Sequence, residues 1–125
     1  CKRLSQIIEE QGRERFLDIE AKINSEICAN RCVIATGGSV IYRDCAMQKL
    51  KEKGKIVHLK LPYETIESRL GDLVKRGVAL KEGYTLLDLY NERTPLYEKY
   101  ADTVVELNGL TILQAVDKVA EALSV

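Results

Sequence analysis

The sequence predicts an α/β domain with a parallel sheet. Three short runs with strand character, at 32–35, 55–61 and 103–107, are separated by stretches in which apolar residues recur at helical spacing. Strands that alternate with helices in this way pair in parallel, because each helix carries the chain back across the sheet. The 125 residues contain no internal repeat or low-complexity linker. We therefore expect one domain, residues 1–125, with a single core.

The first residues predict two helices. Leu4, Ile7 and Ile8 have helical spacing, and Gly12 is expected to end this helix as a C-cap. A second helix is predicted over about 13–28. Its buried face is expected to consist of Phe16, Ile19, Ile23 and Ile27.

The stretch 32–42, CVIATGGSVIY, is the strongest candidate for a functional element. Cys32–Ala35 is uninterrupted by charge, which predicts a fully buried parallel strand. The strand ends at Gly37 and Gly38, and loops at the carboxyl ends of parallel strands line ligand crevices. Paired glycines there let backbone N–H groups approach a ligand. Two interpretations stay open: a ligand site that begins at Gly37, or only a tight turn between a strand and a helix.

Alternating helices and strands are also predicted after the glycine turn. Asp44 is expected to cap a helix that Gly54 ends, and the strand 55–61 follows. Thr85 is expected to cap a further helix, which Pro95 kinks or divides. Beyond the strand 103–107 the chain turns at Asn108 and Gly109. An amphipathic helix over about 110–124 closes it, with Ile112, Val116, Val119 and Leu123 inward.

Residues 76–85, between two of these helices, lack clear periodicity. Gly77 and Gly83 lie near the ends of the loop, and Arg76 and Lys81 provide positive charge. Such a loop could close as a lid over a phosphate, since a lid needs hinges and an anion needs cations. An ordinary surface connection is the alternative.

Composition narrows the class of function. Nineteen Lys and Arg balance nineteen Asp and Glu, so no net charge favours a nucleic acid or an anionic membrane surface. The apolar runs are too short to span a bilayer, and we expect a soluble cytoplasmic protein. The four cysteines lack the paired spacing of a zinc site and are expected to be free and packed. His58, the only histidine, is expected in the core or at its rim.

Several segments together resemble the shikimate kinases, which are small P-loop phosphotransferases. The matching segments are RERFLDIE, VIATGGSVIYRDCAMQKLKEKGKIVHLKLPYETIESRL, RGVAL and NERTPLYEKYAD. The resemblance implies a three-layer α/β/α P-loop kinase-like parallel sheet that lacks its first two strands here. It also implies ATP-dependent phosphorylation of the shikimate 3-hydroxyl in chorismate and aromatic amino-acid biosynthesis, with Mg²⁺ as cofactor.

The resemblance also assigns roles to residues of this chain. Gly37 and Gly38 would bind shikimate through backbone amides, and Arg93 would hold the substrate carboxylate. Arg76 would be the lid arginine that closes on the nucleotide phosphates, and Arg69 would lie against the adenine. A solvated helix face is the alternative for Arg69 and Arg93.

Three residues depart from the family pattern. Leu17 stands where the family has a second carboxylate-binding arginine, Ser39 replaces the third glycine, and Gly77 replaces the proline after the lid arginine. These changes leave open an acceptor other than shikimate.

The phosphate-binding motif G-x-x-x-x-G-K-[ST] is absent from the sequence. We therefore expect the chain to be the C-terminal part of a longer kinase, with the phosphate and metal ligands in the N-terminal segment. It would be a monomer, or a dimer if another chain supplies the missing strand. Without this motif, the chain by itself is expected to be inactive as a kinase. A non-catalytic domain derived from the fold is the remaining alternative.

Overall fold

The computed structural model describes residues 2–70 and 82–124. Its elements in chain order are α1 Leu4–Glu26, a 3₁₀ turn Gly38–Tyr42, α2 Asp44–Lys53, β1 Val57–Lys60, α3 Tyr63–Arg69, α4 Leu86–Tyr100, β2 Thr103–Glu106 and α5 Ile112–Ala122. Strands β1 and β2 pair in parallel, with Val57 opposite Thr103 and Lys60 opposite Glu106. The predicted α/β class with parallel strands is confirmed.

Helix α1 breaks where the sequence predicts and buries a different face. Gly12 interrupts the helical dihedral angles with φ of +80°, a region that favours glycine. The predicted face was wrong in part, because Ile23 is 60% exposed. The residues that α1 buries are Phe16, Leu17, Ala21 and Asn24. This face lies against α2 and the 3₁₀ turn.

The buried strand predicted at Cys32–Ala35 is not present. The segment is irregular, and Val33 is 95% exposed. An uninterrupted apolar run predicts a tendency to be buried in a sheet, but a strand also needs a neighbour to pair with. Among residues 2–70 and 82–124 no backbone group is bonded to this segment.

Most of the later elements lie within the predicted bounds. Thr85 caps α4 as predicted: its hydroxyl accepts from the Asp88 N–H at 3.2 Å. Pro95 does not divide this helix, which continues through it to Tyr100. The predicted cap at Asp44 was wrong, because Arg43 is the N-cap residue of α2. Asp44 lies in the first turn of the helix and accepts from the Tyr100 hydroxyl at 2.7 Å.

Two expectations about burial were wrong. In α5, Ile112 is 83% exposed and Val116 is 58% exposed, because no described element covers this part of the helix. The described cysteines are free, as expected, but exposed rather than packed. They are Cys28, Cys32 and Cys45.

The core joins the 3₁₀ turn to three helices. It consists of Ala21 from α1, Val40 and Ile41 from the turn, Ala46 and Met47 from α2, and Tyr100 from α4. Of the lid predicted at 76–85, residues 76–81 lie outside the described part of the chain. None of the described helices is both long and apolar enough to cross a membrane.

Candidate active site

The glycine turn is fixed by the apolar residues that follow it. Val40 is 5% exposed and Ile41 is 4% exposed, and both belong to the main core. Because protein interiors are close-packed, these two side chains leave the turn little freedom to shift. The backbone at Gly37 and Gly38 is therefore held in one place relative to α1 and α4.

Gly38 lies directly against two polar side chains of α4. The Tyr97 hydroxyl donates to the Gly38 carbonyl at 2.9 Å. A Cβ at this position would lie 2.8 Å from the Tyr97 hydroxyl oxygen and 2.9 Å from Arg93 Nη1. Only glycine lets the two side chains come this close to the backbone.

Gly37 and Ser39 both face Glu20 of α1. A Cβ on Gly37 would lie 2.8 Å from Glu20 Oε1, and Ser39 Oγ donates to Glu20 Oε2 at 2.6 Å. Ser39, the residue in place of the family's third glycine, is thus a hydrogen-bond donor with 7% exposure. Glu20 was not predicted as a site residue. The sequence did contain a signal for it, because Glu20 lies in the family-like segment RERFLDIE, three residues after Leu17.

Arg93 is oriented by Tyr42 and keeps its terminal nitrogens available. Its Nε donates to the Tyr42 hydroxyl at 3.2 Å, and that hydroxyl donates to Glu92 Oε2 at 2.8 Å. Among the described residues the Arg93 terminal nitrogens have no acceptor, and no carboxylate pairs with them. A guanidinium held in this way presents two parallel N–H donors, the geometry that binds a carboxylate.

The tyrosine that orients Arg93 is half-buried. Burial is the largest cause that raises the pKa of Tyr42 above its ordinary value, with the hydrogen bond from Arg93 acting in the opposite direction. Tyr42 therefore stays protonated at neutral pH and can donate to Glu92 while it accepts from Arg93.

A cavity of about 410 Å³ opens between the glycine turn, β1 and α4. Gly37, Gly38, Arg93 and Tyr97 contribute to its wall, which is otherwise mostly aliphatic. His58 also lines it, with its ring 5.1 Å from that of Tyr97, and burial lowers the pKa of His58. This is the half-buried position expected for the histidine.

The structure does not bring every predicted residue to this cavity. Arg69 is exposed in the last turn of α3 and does not line it, and Arg76 lies outside the described residues. Leu17 is 1% exposed and packs with Phe16, away from the cavity wall. Position 17 therefore contributes packing and no charge.

The described residues contain no cluster of three or more His, Cys, Asp or Glu side chains that could hold a metal ion. The part of the chain that the structure describes therefore provides no complete set of protein ligands for Mg²⁺.

Comparison with known proteins gives a consistent result. A family model described as shikimate kinase matches residues 1–124. A shikimate kinase of Clostridium botulinum is 37% identical over 112 residues, which are 88% of this chain and 66% of that protein. One from Dictyoglomus turgidum is 32% identical over 98% of this chain and 74% of that protein. One from Thermodesulfovibrio yellowstonii is 36% identical over 93% of this chain and 68% of that protein. The chain thus spans about two thirds to three quarters of the length of these relatives.

Proposed function

The chain belongs to the shikimate kinase family, and on that premise we propose that the full-length protein phosphorylates the 3-hydroxyl of shikimate with ATP. The family is one of ATP-dependent kinases. The choice of acceptor rests on Arg93, whose Nη1 lies beside Gly38 and whose terminal nitrogens have no acceptor among residues 2–70 and 82–124. A small hydroxylated carboxylic acid fits this arrangement, because the guanidinium takes the carboxylate and the backbone amides take hydroxyl groups.

Within this proposal, each described residue of the site has a simple role. Arg93 binds the shikimate carboxylate, while the amides of Gly37 and Gly38 contact the ring substituents. Tyr42 and Tyr97 hold these groups in place through their hydroxyls. Such preorganisation matters for phosphoryl transfer, which depends on positioning and electrostatic stabilisation.

The nucleotide side of the proposal depends on the family resemblance. Arg69 is proposed to lie against adenine and Arg76 to close on the phosphates. The ligands of the phosphates and of Mg²⁺ are expected outside this sequence, which lacks the G-x-x-x-x-G-K-[ST] motif. We further propose a cytoplasmic monomer.

The direct test is shikimate-dependent ADP release by the full-length protein, with Arg93→Lys as the informative variant. Lysine keeps the charge but loses the planar fork, so kcat/KM for shikimate should fall roughly 10- to 100-fold. Arg15→Lys on the exposed surface of α1 is the matched control and should behave as the unaltered protein. Absence of shikimate-dependent ADP release from the unaltered protein would overturn the proposal.

A second candidate keeps the chemistry and changes the acceptor. Leu17 is buried in packing and Ser39 is bonded to Glu20, so neither residue matches the family's usual shikimate contacts. Turnover on a panel of small hydroxy acids, compared with turnover on shikimate, separates the two candidates. A higher kcat/KM for another acid would favour this one.

A further inference from the structure

Two guanidinium groups lie over the same tyrosine ring. The Arg93 guanidinium carbon is 5.3 Å from the centroid of Tyr42, and that of Arg13, from α1, is 4.9 Å from it. We propose that Arg13 is a second cationic contact for the carboxylate of the acceptor, replacing the charge that is lost at Leu17. The inference rests on the proposed function and adds to it a specificity residue.

Helix geometry makes this replacement possible. Arg13 precedes Leu17 by four residues, so the two side chains lie on the same face of α1, one turn apart. A long side chain at position 13 can therefore extend to the region that an arginine at position 17 would otherwise reach. Leu17 itself packs against Phe16 and Tyr42.

The Arg13 side chain is placed as a ligand-binding group rather than as a solvated one. It is 15% exposed, and its buried Nε has no hydrogen-bond partner in the described part of the chain. A buried N–H without an acceptor is unfavourable. A shift of the guanidinium toward a bound carboxylate would give this N–H an acceptor.

The protein carboxylate nearest to Arg13 is a weak competitor. Glu14 Oε1 accepts from Arg13 Nη1 at 2.9 Å, but the Glu14 side chain is 71% exposed. Its other oxygen accepts from Arg43 Nη2 at 2.8 Å. Exposed pairs of this kind contribute little, since water screens them. The Arg13 charge thus remains largely available.

Both cations contact the same aromatic ring. Arg13 and Arg93 each lie within cation–π distance of Tyr42, whose π system attracts each of them but does not neutralise either. Like charges that share one ring repel each other, and a bound carboxylate converts this repulsion into two attractions. The arrangement favours a monocarboxylate acceptor over a neutral one.

The test compares Arg13→Gln with Arg15→Gln in the full-length protein. Both variants remove one arginine from α1, but Arg15 is exposed and lies over no aromatic ring described here. For Arg13→Gln we expect KM for shikimate to rise about tenfold or more, with kcat and KM for ATP within about threefold. Arg15→Gln should leave all three constants unchanged.

A neutral substrate analogue separates a charge contact from a structural one. With the methyl ester of shikimate, Arg13→Gln and the unaltered protein should show equal kcat/KM, because the ester offers no carboxylate to bind. Equal losses on acid and ester, a raised KM for ATP, or no difference from Arg15→Gln would each overturn the role of Arg13. If the unaltered protein neither binds nor phosphorylates shikimate, the proposed function itself fails, and the inference fails with it.

Discussion

Two adjacent segments of this chain have similar apolar character and opposite environments. Residues 32–37 are irregular, and Val33 within them is 95% exposed. Residues 38–42 form a 3₁₀ turn in which Val40 and Ile41 are almost completely buried. The difference lies in the neighbours: α1, α2 and α4 all pack on the second segment, whereas residues 32–37 are exposed throughout. Hydrophobicity alone does not determine which apolar residues form a core.

The same comparison explains why the candidate site is so well defined. Gly38, Arg93 and Tyr97 are held by contacts among described elements, so their geometry does not depend on the exposed segment before them. The two segments should therefore differ in their contribution to stability as they differ in burial.

The largest effect is expected at Gly38. In Gly38→Ala the new Cβ would lie 2.8 Å from the Tyr97 hydroxyl and 2.9 Å from Arg93 Nη1, so both must move. We expect kcat/KM for shikimate in the full-length protein to fall roughly 10- to 100-fold, the range of a lost charge-assisted contact.

Gly54→Ala is the matched control for Gly38→Ala. A Cβ on Gly54 would meet nothing within 4 Å, and its φ of 179° is extended backbone open to any residue. Activity equal to that of the unaltered protein is expected. A Gly38→Ala enzyme that is as active as this control would show that Arg93 does not contact the acceptor over Gly38.

The next effect concerns stability. Ile41→Ala removes a core side chain and should lower the free energy of unfolding by about 2–5 kcal/mol. Val33→Ala should change it by less than about 0.5 kcal/mol, as is usual for an exposed position. Urea denaturation of both variants gives the comparison.

An equal loss in the two variants would contradict the burial described here. If Val33→Ala is costly in a longer product that contains this sequence, residues outside the described part of the chain must cover Val33.

A smaller effect is expected at Ser39. Ser39→Ala removes the hydroxyl that donates to Glu20 Oε2 and leaves that half-buried carboxylate oxygen without a donor in the described part of the chain. The free energy of unfolding should fall by about 1–3 kcal/mol. Ser25→Ala is a control, because its hydroxyl donates to the Ala21 carbonyl within the same helix and not to a carboxylate. A Ser39→Ala protein as stable as Ser25→Ala would show that Glu20 does not need this donor.

The smallest effect is the pH dependence caused by His58. Burial is the main cause that lowers the pKa of His58 below 6.5, while Glu98 and Glu106 act to raise it and Lys60 to lower it. The unfolded chain then binds a proton that the folded chain does not. The His58 contribution to stability is therefore present above about pH 6.5 and is lost as the pH falls through the folded pKa.

Unfolding curves measured between neutral and mildly acidic pH check this prediction. His58→Phe should lose less stability on acidification than the unaltered protein does. A histidine NMR titration midpoint above 6.5 would contradict the direction of the shift.

Local features of the structure followed closely from the sequence. The cap at Thr85, the break at Gly12 and the turn at Gly109, where φ is +75°, depend on residues within one turn of each other. The two strands at 57–60 and 103–106 were also predictable, since each is short, apolar and bounded by turn residues.

Features that depend on distant neighbours did not follow from the sequence. The segment 32–35 and Ile112 of α5 were expected to be buried and are exposed. Leu17 was interpreted as a lost site residue, and among the described residues it is the most completely buried large side chain. Glu20 was overlooked, because its contacts with Gly37 and Ser39 join residues almost twenty positions apart.

The sequence by itself determined the α/β class, the family and the residues that could bind a carboxylate, because these follow from local patterns and motifs. Only the tertiary structure decided that Tyr42 orients Arg93, that Arg13 lies over the same ring, and that Ser39 pairs with Glu20. These contacts join α1, the 3₁₀ turn and α4, and they form only when the core brings the three elements together. Packing is a property of the whole described chain, and no local pattern specifies it.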